Sequence, residues 1–271
     1  MRHPVLALSA FALSMALARE GAAQNFDQGM RAAESGDFAT AIREWRPLAT
    51  QGHAKAQTSL GYMYENGFGV QQDHSEAAHW YGKAAEQGYA NAQFNLAFLY
   101  DVGRGVGLDD LAAAHWYQEA GNQGHVSAQY NLGLMYKSGE GVAQSDVNAV
   151  RWLGLAAVQG HAAAQATLGF MYDRGRGVVQ DYAEALMWYR LAAERGLGSA
   201  QLYLGDVYAI GLGVSQSNLL AYMWYDVSVA NGNFNSIGGR ERVADRMTPG
   251  EISEAKALAR TCKETNYENC G

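Results

Sequence analysis

Residues Leu60–Val70 read LGYMYENGFGV, and the chain writes that phrase four more times. The copies are LAFLYDVGRGV from Leu96, LGLMYKSGEGV from Leu132, LGFMYDRGRGV from Leu168 and LGDVYAIGLGV from Leu204. Gly52, Gly88, Gly124, Gly160 and Gly196 open the copies at a constant spacing of 36 residues, and Gly232 closes the series. A fixed period of this size, with no insertion, predicts stacked helical hairpins in which each unit buries its apolar face against the next.

The columns of the repeat have mechanical readings. Ala56, Leu60 and Tyr64 fall at i, i+4 and i+8, one stripe of a helix, helix A, and the stripe recurs in every copy. Gly61, Ala97, Gly133, Gly169 and Gly205 keep a neighbouring position small, which lets a second helix approach. Gly67 and its counterparts end helix A with the residue best suited to a left-handed turn. Asp73, Asp109, Ser145, Asp181 and Ser217 are N-caps for helix B, with Glu76 and Glu184 placed for capping boxes. The tryptophans Trp80, Trp116, Trp152, Trp188 and Trp224 recur on helix B and are expected in the core, with Tyr81, Tyr117, Tyr189 and Tyr225 beside them.

The A-x-x-x-L-G-x-x-Y core, the G-x-G-V loop and the A-x-x-W-Y helix resemble the Sel-one-like repeat (SLR), of the tetratricopeptide-repeat-like superfamily. The resemblance implies an all-α, right-handed solenoid of antiparallel helical hairpins. It also implies adaptor, assembly or signalling roles, often at the bacterial envelope. The expected organisation is a signal peptide at 1–23, a tetratricopeptide-like unit at 24–51, five repeats at 52–231 and a C-terminal helical cap at 232–271. In the cap, Thr248, Pro249 and Glu251 form a strong helix start.

The first residues stand apart. Arg2 and His3 precede an apolar run from Val5 to Ala18, and small residues follow at Gly21-Ala22-Ala23. The run is short of the roughly 20 residues that span a bilayer, so it reads as a secretory signal cleaved after Ala23, with Ala18 the second choice. A periplasmic or secreted location follows, without stable membrane insertion. Cys262 and Cys270 are the only cysteines. An oxidising compartment favours a disulfide between them, whose short loop contributes about 2.5 kcal/mol.

Chemistry-bearing motifs are scarce. A net charge of -7 argues against a nucleic-acid partner. His53, His125 and His161 share one column and His79 and His115 another. Column mates on successive helices lie roughly 10 Å apart, whereas zinc needs ligand atoms about 2 Å from one ion. The sequence holds no nucleophile elbow and no phosphate loop, and its Gly-x-Gly triplets follow helices, not strands. No catalytic residue, metal or cofactor is expected. Recurring carboxylates such as Glu65, Asp101 and Asp173 read as a solvated helix edge.

What remains is surface. The helix-A positions that line the concave face in tetratricopeptide repeats vary here between copies. They carry Tyr62, Phe94, Phe98, Tyr130 and Phe170, flanked by Asp101, Lys137 and Arg174. Large apolar groups at positions that packing leaves free suggest a protein or peptide partner in that groove. Two rivals stay open: a peptidoglycan or polysaccharide binder that stacks sugars on the aromatics, and a β-lactam-binding or hydrolase-like relative. Relatives of the latter kind carry a cysteine pair in each repeat, which this chain lacks.

Overall fold

The structure, a computed structural model, describes residues 25–268 and 270. The expected signal peptide lies outside the described residues. The chain forms two compact units, one ending at His125 and the other beginning at Val126. In the first, α1 (25–34) and α2 (Phe38–Thr50) are followed by α3 (Ala54–Asn66), α4 (His74–Ala85), α5 (Ala90–Val102) and α6 (Asp110–Asn122). In the second, α7 (Val126–Ser138), α8 (Asp146–Val158), α9 (Ala162–Arg174), α10 (Tyr182–Ala193), α11 (Gly198–Ile210) and α12 (Asn218–Ala230) precede a short 3-10 turn. Then come α13 (Ile237–Ala244) and α14 (Pro249–Glu264). Among the described residues there is no strand, and no helix is long and apolar enough to cross a membrane. The all-α hairpin architecture is as the repeat predicts: α3 packs on α4, α5 on α6, α7 on α8, α9 on α10 and α11 on α12.

The first, third, fourth and fifth hairpins each close on one contact, while the second carries Ala97 at the same small position. A Cβ at Gly61 would sit 2.6 Å from the Tyr81 ring, at Gly169 2.8 Å from Tyr189 and at Gly205 2.5 Å from Tyr225. In the third hairpin Leu153 replaces the tyrosine, 2.7 Å from a Cβ at Gly133. The aromatic or leucine of helix B thus lies flat on bare backbone of helix A. This column is buried more deeply than the tryptophans: Tyr81, Tyr117, Leu153, Tyr189 and Tyr225 are at most 2% exposed, whereas Trp116 and Trp188 are only half-buried. The tyrosine column is therefore the inner ladder, with Trp80, Trp152 and Trp224 buried beside it and Trp116 and Trp188 at its margin.

The caps follow the sequence closely. Asp73, Asp109, Ser145, Asp181 and Ser217 each accept from backbone N–H groups in the first turn of helix B. Glu76 does not close a capping box; its carboxylate accepts from the Trp80 indole at 2.9 Å. Helix A ends at left-handed glycines such as Gly67 and Gly175. The second loop glycine has a further reason. A Cβ at Gly69 would meet Phe38 at 2.7 Å and one at Gly213 would meet Tyr182 at 2.7 Å, so the loop rests on the start of the preceding helix B.

A buried glutamine, absent from the sequence reading, stitches successive hairpins. Gln57 donates to the Ala49 carbonyl at 2.9 Å and accepts from Gln87 at 2.6 Å. Gln165 and Gln201 donate likewise to Ala157 and Ala193. Each amide joins the end of one helix B to the next helix A, and each is at most 3% exposed. Asn231 takes over as the last partner, donating to Gln201 at 2.9 Å. Tyr267 then donates to Asn231 at 2.8 Å, and the Cys262–Cys270 disulfide closes the loop that carries it.

The tail helices pack on α12. Thr248 and Glu251 form a reciprocal capping box with Pro249 in the first turn. The buried stripe of α14 is Ala255, Ala259 and Cys262, while Leu258 is about one-third exposed.

Histidine caps A helices at His53 and His161. The Nδ1 atoms of His53 and His161 accept from Ala56 and Ala164 N–H at 3.2 Å, so these rings are joints and not water-facing side chains. Burial, with the Lys55 charge added at His53, holds both below the ordinary histidine pKa.

Two predictions follow from this packing. Gly169→Ala forces a methyl into the Tyr189 ring and is expected to destabilise by about 1–3 kcal/mol. Gly154→Ala, with open space beyond its backbone in α8, is expected to stabilise by about 0.5–1 kcal/mol. Urea melts that shift both variants alike would refute the contact. The caps predict an acid-dependent loss. A histidine whose folded pKa is depressed contributes fully above its unfolded value, about 6.5, and less as pH falls through that value. His161→Asn, which keeps the acceptor without titrating, should lose less stability than wild type between about pH 7.5 and 5.5. Parallel pH profiles would count against the cap.

Candidate partner-binding surface

The outward positions of helix A are built by elimination. Ala, Leu and Tyr of the stripe, the small residue and the buried glutamine face inward, which leaves the variable columns at the edge of each hairpin. In the first unit Tyr62 is 48% exposed, with its ring 5.9 Å from Phe68, which stacks on Phe38. Phe94 and Phe98 are half-buried. Phe94 stacks on His125 at 4.5 Å.

Asp101 has a structural neighbour: the Tyr117 hydroxyl donates to it at 3.1 Å. The same bond runs from Tyr81 to Glu65 at 2.7 Å and from Tyr225 to Asp206 at 2.6 Å. Burial first, and the facing carboxylate second, push the Tyr81 and Tyr225 hydroxyls far above their ordinary pKa. Of the recurring carboxylates, Glu65 and Asp101 are therefore acceptors for core tyrosines, whereas Asp173 is not, a purpose hidden from one-dimensional reading because donor and acceptor are on different helices. In the fifth copy Ala209 occupies the carboxylate position, and Asp206, one turn earlier, supplies the acceptor.

The second unit assembles four of the expected residues. Tyr130 stacks on His161 at 4.5 Å. The Lys137 Nζ lies 6.0 Å from the Phe170 ring and the Arg174 guanidinium 5.7 Å from it. Phe170 is also 6.3 Å from Tyr203, which stacks on Tyr189 at 4.9 Å. A cleft of about 260 Å³ opens among Tyr130, Lys137, Thr167, Phe170, Leu197, Ser199 and Tyr203. A second, of about 320 Å³, lies on the other side of Lys137 and is lined by Ser138, Glu140, Gln144 and Arg176. Thr167 and Tyr203 belong to a column not expected at the surface. Its signal was available, since Ser59, Asn95, Asn131, Thr167 and Tyr203 vary as freely as the columns that were chosen.

Among the described residues no three His, Cys, Asp or Glu side chains gather as metal ligands. The clefts present aromatic faces, hydroxyls and cations.

The sequence profile of the Sel1 repeat matches residues 54–89, 90–125, 126–161, 162–197 and 198–233. A search of curated proteins found no match. Among solved structures, a Sel1 repeat protein from Oxalobacter formigenes is 32% identical over 87% of this chain and 99% of its own, with a TM-score of 0.77. A protective antigen of uropathogenic Escherichia coli with an SLR fold is 26% identical over 93% of this chain and 71% of its own, with a TM-score of 0.45. A Sel1 repeat protein from Klebsiella pneumoniae is 21% identical over 75% of this chain and 99% of its own, with a TM-score of 0.46. With five contiguous repeats from 54 to 233, the chain belongs to the Sel1-repeat family.

Proposed function

We propose that this chain is an exported, non-catalytic scaffold that binds a protein or peptide partner along the variable faces of its A helices, in envelope assembly or signalling. Sel1-repeat proteins mediate protein–protein interaction and are generally non-enzymatic. The observation that carries the finer reading is the cleft of the second unit, where Tyr130, Lys137 and Phe170 converge at positions that packing does not dictate. Tyr62, Phe94 and Phe98 extend the same columns in the first unit. Export is supported by the disulfide, by the described helices, none of which is fit to cross a membrane, and by the leader-like sequence of residues 1–23.

Aromatic anchors in partly desolvated patches often supply 2 kcal/mol or more when truncated, and rim charges less. Phe98→Ala and Phe170→Ala are therefore expected to weaken partner capture by about tenfold or more, some 1.4 kcal/mol. Glu86→Ala, at the exposed end of α4, should leave it unchanged. In-cell crosslinking yields, read beside thermal melts, give the answer. Normal capture by both aromatic variants would move the site elsewhere. A collapse in melting temperature with no separate loss of capture would assign these rings to the core.

A further inference from the structure

The third hairpin breaks the pattern of the others at two positions that face each other. Where helix B of the first, second, fourth and fifth hairpins carries Tyr81, Tyr117, Tyr189 and Tyr225, the third has Leu153. Where helix A carries Glu65, Asp101 and Asp173, the third has Lys137. The two changes belong together. Leu153 is fully buried and has no hydroxyl, so no acceptor is needed opposite it, and the lysine is relieved of any part in closing the hairpin.

Lys137 is also without an ion pair among the described residues. Its neighbours are engaged. Arg176 is held by both oxygens of Asp146, at 2.8 and 3.0 Å. Arg174 pairs with Asp173 at 3.2 Å but keeps its side chain 64% exposed. Glu140 accepts from the Ser138 hydroxyl at 3.0 Å. Lys137 instead sits between the two clefts, with Phe170 flanked by its ammonium and the Arg174 guanidinium. In a chain of net charge -7, an unpaired cation at an apolar cleft is complementary to negative charge.

We infer that the cleft around Lys137, Phe170 and Arg174 recognises an acidic segment of a partner protein. A large apolar side chain of that segment enters between Tyr130, Phe170 and Tyr203, and its flanking carboxylates meet Lys137 and Arg174. Lys137 is the specificity-determining residue, because a carboxylate there would repel the same segment. The inference rests on the interaction-scaffold reading and specifies the chemistry of its partner.

The test uses fluorescein-labelled pentapeptides, acetylated and amidated so that only side chains carry charge. Glu-Ala-Phe-Ala-Glu is compared with Lys-Ala-Phe-Ala-Lys and Glu-Ala-Ala-Ala-Glu by fluorescence anisotropy against the full chain. Wild type is expected to prefer the acidic phenylalanine peptide by about tenfold over both others, an advantage that shrinks as salt is raised. Lys137→Glu should abolish the charge preference, Lys137→Met should reduce it to what Arg174 alone supplies, and Phe170→Ala should erase the difference between the two acidic peptides. Thermal melts of Lys137→Met and Lys137→Glu should match wild type. Equal affinity for acidic and basic peptides, or no saturable binding by wild type up to about 1 mM, overturns the inference. The crosslinking yield separates this failure from that of the scaffold reading. If Phe170→Ala loses the cellular partner and Lys137→Glu retains it, the surface stands and the acidic partner falls; if both retain it, both fall.

Discussion

The contact on which this fold depends is a flat side chain laid on a helix position kept small, glycine in four hairpins and Ala97 in the second. Tyr81 on Gly61, Tyr189 on Gly169 and Tyr225 on Gly205 bring two helices close enough for the alanines around them to be fully buried. A methyl at any of those glycines would part the helices or displace the ring, and interiors packed to crystal density have little room for either. The alanine-rich stripes, the constant loop length and the constant period are consequences. Each hairpin must present the same separation to its neighbour, or the next glutamine would miss the carbonyl it binds.

Burying a tyrosine ring this deeply creates a second demand, because its hydroxyl must find an acceptor. Glu65, Asp101 and Asp206 meet it from helix A. The fourth hairpin meets it poorly: the Tyr189 hydroxyl is buried without a hydrogen-bond partner among the described residues, and Asp173 pairs with Arg174. The third removes the demand by using leucine.

Joints and surface are not independent. Tyr130 of α7 covers the ring of His161, whose Nδ1 caps α9, and Phe94 covers His125. A partner that shifts the Tyr130 ring would therefore act on the junction with the next repeat as well as on its own contact. The aromatic column thus packs on the joints between repeats as well as bordering the surface.

Architecture was legible in one dimension because its determinants are periodic and local. Asp73 or Ser145 caps a helix by bonding N–H groups two or three residues on, and Gly67 ends one by its own backbone conformation; neither needs a distant partner. The Thr248–Glu251 capping box and the cysteine pair are local in the same sense. The candidate surface was legible as a set of variable columns, but not as a site. That Asp101 serves Tyr117, that Phe94 and Tyr130 lie over histidines, and that Lys137 is left to face Phe170 are contacts between residues 16 to 33 positions apart. Spacing alone cannot assign such partners, because helices A and B turn every residue through its own angle before they meet. The tertiary structure decided which of these charges are engaged.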